Sequence, residues 1–73
     1  MKGHFIAFKS TNYALMADTI LKNKKIKFKT VPTPRVIDLS CGIAIMYEKE
    51  DEEKIKKILR EYKIEIKGFY KIE

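Results

Sequence analysis

Hydrophobic positions recur along this chain with two different periods, and their alternation predicts its elements. His4 to Lys9 reads as a first strand, with Phe5-Ile6-Ala7-Phe8 apolar on both faces. Ser10-Thr11-Asn12 then supplies residue types that cap helix N-termini. Behind them Tyr13, Ala17, Ile20 and Leu21 fall on one helical face, and Lys22, Lys24 and Lys25 sit at the negative C-terminal end. Ile26 to Val31 alternates like a half-exposed strand and stops at Pro32-Thr33-Pro34, because proline removes ladder donors. A loop of about ten residues follows. Gly42 opens a third strand, Ile43 to Tyr47, with no charge in it. Asp51, Glu52 and Glu53 suit the positive start of a second helix, in which Ile55, Ile58, Leu59 and Tyr62 form the apolar stripe. Ile64 to Ile72 closes the pattern as a fourth strand.

The order βαββαβ predicts an α+β, ferredoxin-like fold: a four-stranded antiparallel sheet in the order 4-1-3-2, with helices near residues 12–24 and 52–63 on one face. Charge placement agrees. Lys27, Lys29, Lys67 and Lys71 fall on the two presumed edge strands, where lysine blunts edge-to-edge pairing, and the presumed central strands are apolar inside. With both helices on one face, the apolar back of strands one and three is expected to be open, which predicts a homodimer through that face or through an edge strand. Residues 1–73 read as a single domain with no internal repeat, low-complexity tract or linker.

Composition narrows the class. With 45% hydrophobic and 36% charged residues the chain is globular in character, and at 73 residues its core must be thin. No apolar stretch approaches the roughly 20 residues that span a bilayer, and Met1-Lys2-Gly3-His4-Phe5 lacks the pattern of a signal peptide, so a cytoplasmic protein without a membrane partner is expected. One cysteine cannot form an internal disulfide, which fits a reducing compartment. The net charge of +6 rests on 14 lysines and two arginines, a balance suited to solubility more than to planar recognition of phosphates or bases.

The predicted topology brings the start of helix one and the loop between strands two and three to the same sheet end. Ser10, Thr11 and Asn12 therefore face the segment carrying Arg35, Ser40, Cys41 and Gly42. Free helix N–H groups and a guanidinium both stabilise an anion, and a thiol ordinarily titrating near pH 8.5 becomes a better nucleophile when its thiolate is so stabilised. Each residue also has a plainer role. Cys41 fits a small buried hydrophobe, Arg35 a donor to loop carbonyls, and Ser10, Thr11 and Asn12 simple caps.

Phe8-Lys9-Ser10-Thr11-Asn12-Tyr13-Ala14-Leu15, followed by the run from Val31-Pro32-Thr33-Pro34-Arg35 to Asp38-Leu39-Ser40-Cys41-Gly42, resembles the family described as Putative Se/S carrier protein-like. The similarity covers nearly the whole chain. Its specific parts are the Ser-Thr entry to helix one, the Pro-x-Pro-Arg segment and the Ser-Cys-Gly ending. Two positions depart from the family pattern: Asn12 stands where histidine is common, which removes a possible base, and Asp38 where serine is common. Asp38 opposes a thiolate at Cys41 unless Arg35 pairs with it. The resemblance implies a carrier that holds sulfur or selenium on Cys41, taking it from a donor such as a cysteine desulfurase and passing it to an acceptor enzyme. Such a carrier needs one accessible thiol and no cofactor. Arg35, Ser10, Thr11, Asn12, Ser40 and Gly42 would then contact the chalcogen or the partner.

Other classes fit less well. Lys22, Lys24, Lys25, Lys27 and Lys29 make a basic cluster, but Ile43 to Tyr47 lacks the Lys/Arg-Gly-Phe-Gly/Ala-Phe signature that carries the stacking aromatics of an RNA-recognition sheet. Metal carriage would want a second cysteine, and His4 with Cys41 is no ligand spacing, so His4 is expected to be an exposed strand residue. Turnover catalysis lacks a histidine near Cys41, which favours a non-enzymatic carrier over an enzyme. A small regulatory or nucleic-acid- or anion-binding interaction module, with a structural cysteine, is the alternative.

Overall fold

The computed structural model describes residues 3–34 and 42–72. Its elements are β1 (Gly3–Phe8), α1 (Thr11–Asn23), β2 (Phe28–Pro32), β3 (Ile43–Tyr47), a 3-10 turn (Lys49–Asp51), α2 (Glu52–Glu61) and β4 (Ile66–Ile72). The strands form one antiparallel sheet in the order β2-β3-β1-β4, the expected 4-1-3-2 arrangement read from its other edge. The apolar central strands and lysine-bearing edges predicted from the sequence are thus where the sheet needs them.

Alternation divides β1 and β3 between two faces. Ile6, Phe8, Ile45 and Tyr47 pack into one core with Ala14, Ala17 and Leu21 of α1 and Ile55, Ile58 and Leu59 of α2. Burying a side chain of the size of Ile6 or Phe8 contributes about 1.5–3 kcal/mol. In α1 the buried positions are Ala14, Ala17 and Leu21, with Tyr13 and Ile20 packed at the margin. The small alanines let this helix lie close to the sheet. Tyr62, placed on the buried stripe of α2 by spacing, is 44% exposed. It occupies the C-cap, where the chain has already left the helix.

The opposite face corrects an expectation. Phe5, Ala7 and Ala44 alternate away from the helices yet are fully buried, so the back of the central strands is closed at its middle. Met46, paired with Phe5, lies against Gly3, where an added Cβ would sit 3.3 Å from its sulfur. Tyr70, also paired with Phe5, folds over Gly68 on its own strand.

Both strands that follow a helix begin two residues later than periodicity predicts, for one reason. Lys25 and Lys63 adopt left-handed conformations, with φ of 59° and 55°. The N–H of Ile26 reaches back to Leu21 C=O at 3.0 Å and that of Ile64 to Leu59 C=O at 2.9 Å. Lys25 and Lys63 close the inner bonds to Lys22 and Arg60 at 3.0 and 3.2 Å. These are Schellman closures, and in each the isoleucine serves the helix stop before the strand begins. The two exits also match in sequence, as residues 20–29 (ILKNKKIKFK) and 58–67 (ILREYKIEIK) share Ile-Leu, Lys-Ile and a later lysine in register. A helix-to-strand unit is therefore repeated in a chain that shows no longer repeat.

A lysine in the left-handed region is strained where glycine is not. Lys25→Gly and Lys63→Gly are each expected to stabilise the fold by about 0.5–1 kcal/mol. Urea midpoints would show it, and a lowered midpoint in both variants would refute the account.

Candidate functional site

Strand register determines which chain ends meet. Ala7 pairs with Ala44, Pro32 with Ile43, and Phe8 with Ile66. The end of β1, the end of β2, the start of β3 and the start of β4 therefore share one edge of the domain, and α1 begins there. The Thr33 N–H donates to the Gly42 carbonyl at 3.3 Å. This bond continues the β2–β3 pairing past the strand ends and draws together the two anchors, Pro34 and Gly42, of the intervening segment. Arg35, Asp38, Ser40 and Cys41 belong to that segment and lie outside the described residues.

The predicted convergence of helix start and loop anchors is present for the described part. Ser10 is the N-cap of α1, in extended conformation, and its Oγ accepts the Tyr13 N–H at 3.4 Å. Its own hydroxyl proton stays free to be donated elsewhere. Thr11 and Asn12 are the first two helical residues, and both are exposed. They do not cap, and their backbone N–H groups are among those a helix start leaves unbonded. No acidic side chain occupies this first turn, so the positive helix end is uncompensated from within α1. Gly42 is exposed, and a Cβ placed on it would meet nothing within 4 Å. Neither packing nor a left-handed backbone demands glycine there. Beside it, the Thr33 Oγ1 is buried without a hydrogen-bond partner among the described residues.

The same end holds a polar cluster that sequence reasoning missed. Glu65, just ahead of β4, accepts the Tyr13 hydroxyl at 2.8 Å and pairs with the Lys9 ammonium at 3.4 Å. It ties α1 to the ends of β1 and β4. The Tyr13 hydrogen bond, then Lys9, holds the Glu65 carboxyl below the usual range, and Glu65 in turn raises the Tyr13 phenol above its own. No local spacing announces these partners, since Glu65 is far from both in sequence.

At the opposite end Tyr47, nearly buried, donates to Glu52 in the first turn of α2 at 2.6 Å, and burial, then Glu52, pushes its pKa well above the ordinary phenol value. His4, expected to be exposed, is half-buried with its ring 5.7 Å from that of Tyr47. Among the described residues no group of His, Cys, Asp and Glu side chains is placed to hold a metal ion. No helix among them is long and apolar enough to cross a membrane.

The Glu65 cluster carries a pH signature. A carboxyl whose folded-state pKa lies below its unfolded value of 4.5 contributes stability that is complete above that value and is lost as pH falls through the folded one. A phenol raised above 10.0 contributes below that value and loses its contribution as pH rises through the folded one. Glu65→Gln should therefore flatten the stability profile on both the acid and the alkaline limb, read from thermal melts across pH. An unchanged profile would remove the cluster from the stability of this end.

The free space at Gly42 leads to a second expectation. Gly42→Ala should leave stability unchanged or raise it by up to about 1 kcal/mol, because alanine fits the conformation and restricts the unfolded chain. A lower melting midpoint would show that glycine serves the fold itself.

The model of the family described as Putative Se/S carrier protein-like matches residues 3–71 of the chain. No curated protein and no solved structure matches it.

Proposed function

The chain belongs to the Se/S carrier protein-like family, and from that premise we propose that it carries sulfur or selenium on the thiol of Cys41 and hands it to a partner enzyme. The observation that carries this reading is the family match over residues 3–71, within which the chain has one cysteine, set in Ser40-Cys41-Gly42. The convergence of Ser10, the start of α1 and Gly42 at one sheet end is compatible with it.

The chemistry is an exchange at sulfur. The Cys41 thiolate attacks the terminal sulfur of a donor persulfide, such as that of a cysteine desulfurase, and the donor's own thiolate leaves. The product is a Cys41 persulfide, with no net oxidation in the exchange. Selenium follows the same path from a donor's perselenide. An acceptor thiolate then attacks the outer atom and restores the Cys41 thiolate. Arg35 and the start of α1 would stabilise the terminal chalcogen anion, and Ser10, Thr11, Asn12 or Ser40 would donate hydrogen bonds. Asp38 works against this unless Arg35 neutralises it. Gly42 would let a partner's active site approach the backbone.

Incubation with a persulfide-loaded cysteine desulfurase should add one sulfur to the intact mass of the wild-type chain, in a form removed by reductant. Cys41→Ser should gain none while melting at the same temperature. Arg35→Ala should load about tenfold more slowly, with a raised thiol pKa. Loading of Cys41→Ser equal to wild type, or no reducible mass on the wild type from sulfur or selenium donors, would leave an anion-binding or interaction module as the better account.

A further inference from the structure

Away from the loop anchors, the helical layer contains a groove of about 700 Å3. Lys24, Lys25 and Lys27 border it from the exit of α1, and Lys54 and Lys57 from α2. Ile26 and Ile58 line it between these lysines. The ion pairs among the described residues join Lys9 to Glu65, Lys22 to Asp18 and Lys56 to Glu52. None of the five groove lysines takes part in them. Two carboxylates, Asp51 and Glu61, also border the groove, which leaves it with an excess of positive charge. Ammonium groups that border one groove repel where they come within a Debye length, about 8 Å at physiological salt, and an anionic occupant relieves that repulsion.

We infer that this groove is a docking site for an acidic segment of a partner protein. Four features select a peptide. The cations are all lysines, which attract carboxylates as point charges, and no arginine supplies the planar fork that suits phosphate. The isoleucines offer apolar contact to a peptide's aliphatic side chains. Asp51 and Glu61 would each oppose a continuous phosphate track, whereas a peptide can place an N–H or a neutral side chain opposite them. Tyr62, exposed and next in sequence to Glu61, has the Lys24 ammonium 5.9 Å from its ring centre, so a groove lysine already competes with a base for one face of that ring. The ten residues of α2 span about 15 Å, which an extended peptide covers with roughly five residues. The recognised segment is therefore short, with acidic residues flanking one or two aliphatic ones. This site does not depend on the carrier reading, because none of its bordering residues belongs to the loop anchors or the first turn of α1.

A fluorescent peptide of roughly eight residues alternating Glu or Asp with Leu, titrated with the full chain, tests this. It should bind at about 0.05 M salt and severalfold more weakly at about 0.15 M. Lys54→Gln with Lys57→Gln, and separately Lys24→Gln with Lys27→Gln, should each weaken binding at least tenfold, with circular dichroism reporting that the fold is kept. Lys29→Gln, on β2 outside the groove, should bind as wild type does. The proposal is overturned if the peptide fails to bind at the lower salt or if both double variants bind normally. It is also overturned if an oligouridine of equal charge binds more tightly than the peptide.

Discussion

The antiparallel pairing of β1 with β3 is the constraint on which the rest depends. Its register, Phe5 opposite Met46 and Ala7 opposite Ala44, turns Ile6, Phe8, Ile45 and Tyr47 toward the helices together. A shift of one residue in β1 would turn Ile6 and Phe8 to the other face and offer the helices Phe5 and Ala7 instead, while Ile45 and Tyr47 stayed in place. The same register brings the end of β1 to the start of β3, and so sets Ser10 and Gly42 at one end of the sheet. Core packing and site assembly are two results of one set of backbone hydrogen bonds.

A domain this thin has little core to spare, so its helices must stop and its strands begin where the sheet requires. The two Schellman closures do this with the same residues, a strained lysine followed by an isoleucine whose N–H completes the helix end. After the first helix, the exit also gathers Lys24, Lys25 and Lys27 at the groove. After the second, Ile64 is followed by Glu65, which binds Tyr13 and Lys9 at the opposite end. Matching sequence at the two exits thus serves a shared backbone need, while the residues around each are adapted to different surroundings.

The reach of local pattern can be judged from particular residues. The stripe Ile55, Ile58, Leu59 is buried as its spacing implies, because each faces the sheet within one regular helix. Tyr62 obeyed the same spacing and is exposed, since helical periodicity ends at the cap. Ser10 was legible as a capping type, but that Thr11 and Asn12 enter the helix uncapping and exposed depends on where the turn starts. Phe5 and Ala7 read correctly as buried residues of a central strand, yet the idea of an open back did not follow, because local spacing does not report what closes a sheet's second face.

By itself the sequence determined the element types, the strand order and the family, since these rest on periodicity, on charges placed where edge strands tolerate them, and on motifs read along the chain. It also placed Cys41 in the Ser-Cys-Gly run on which the functional proposal is built. Only the tertiary structure decided that Glu65 would hold Tyr13 and Lys9, that Tyr47 would find Glu52, and that five lysines from the exit of α1 and from α2 would border one groove. These relations join side chains through space, and their strength depends on distance and burial, which residue spacing along a chain does not specify until the backbone pairs.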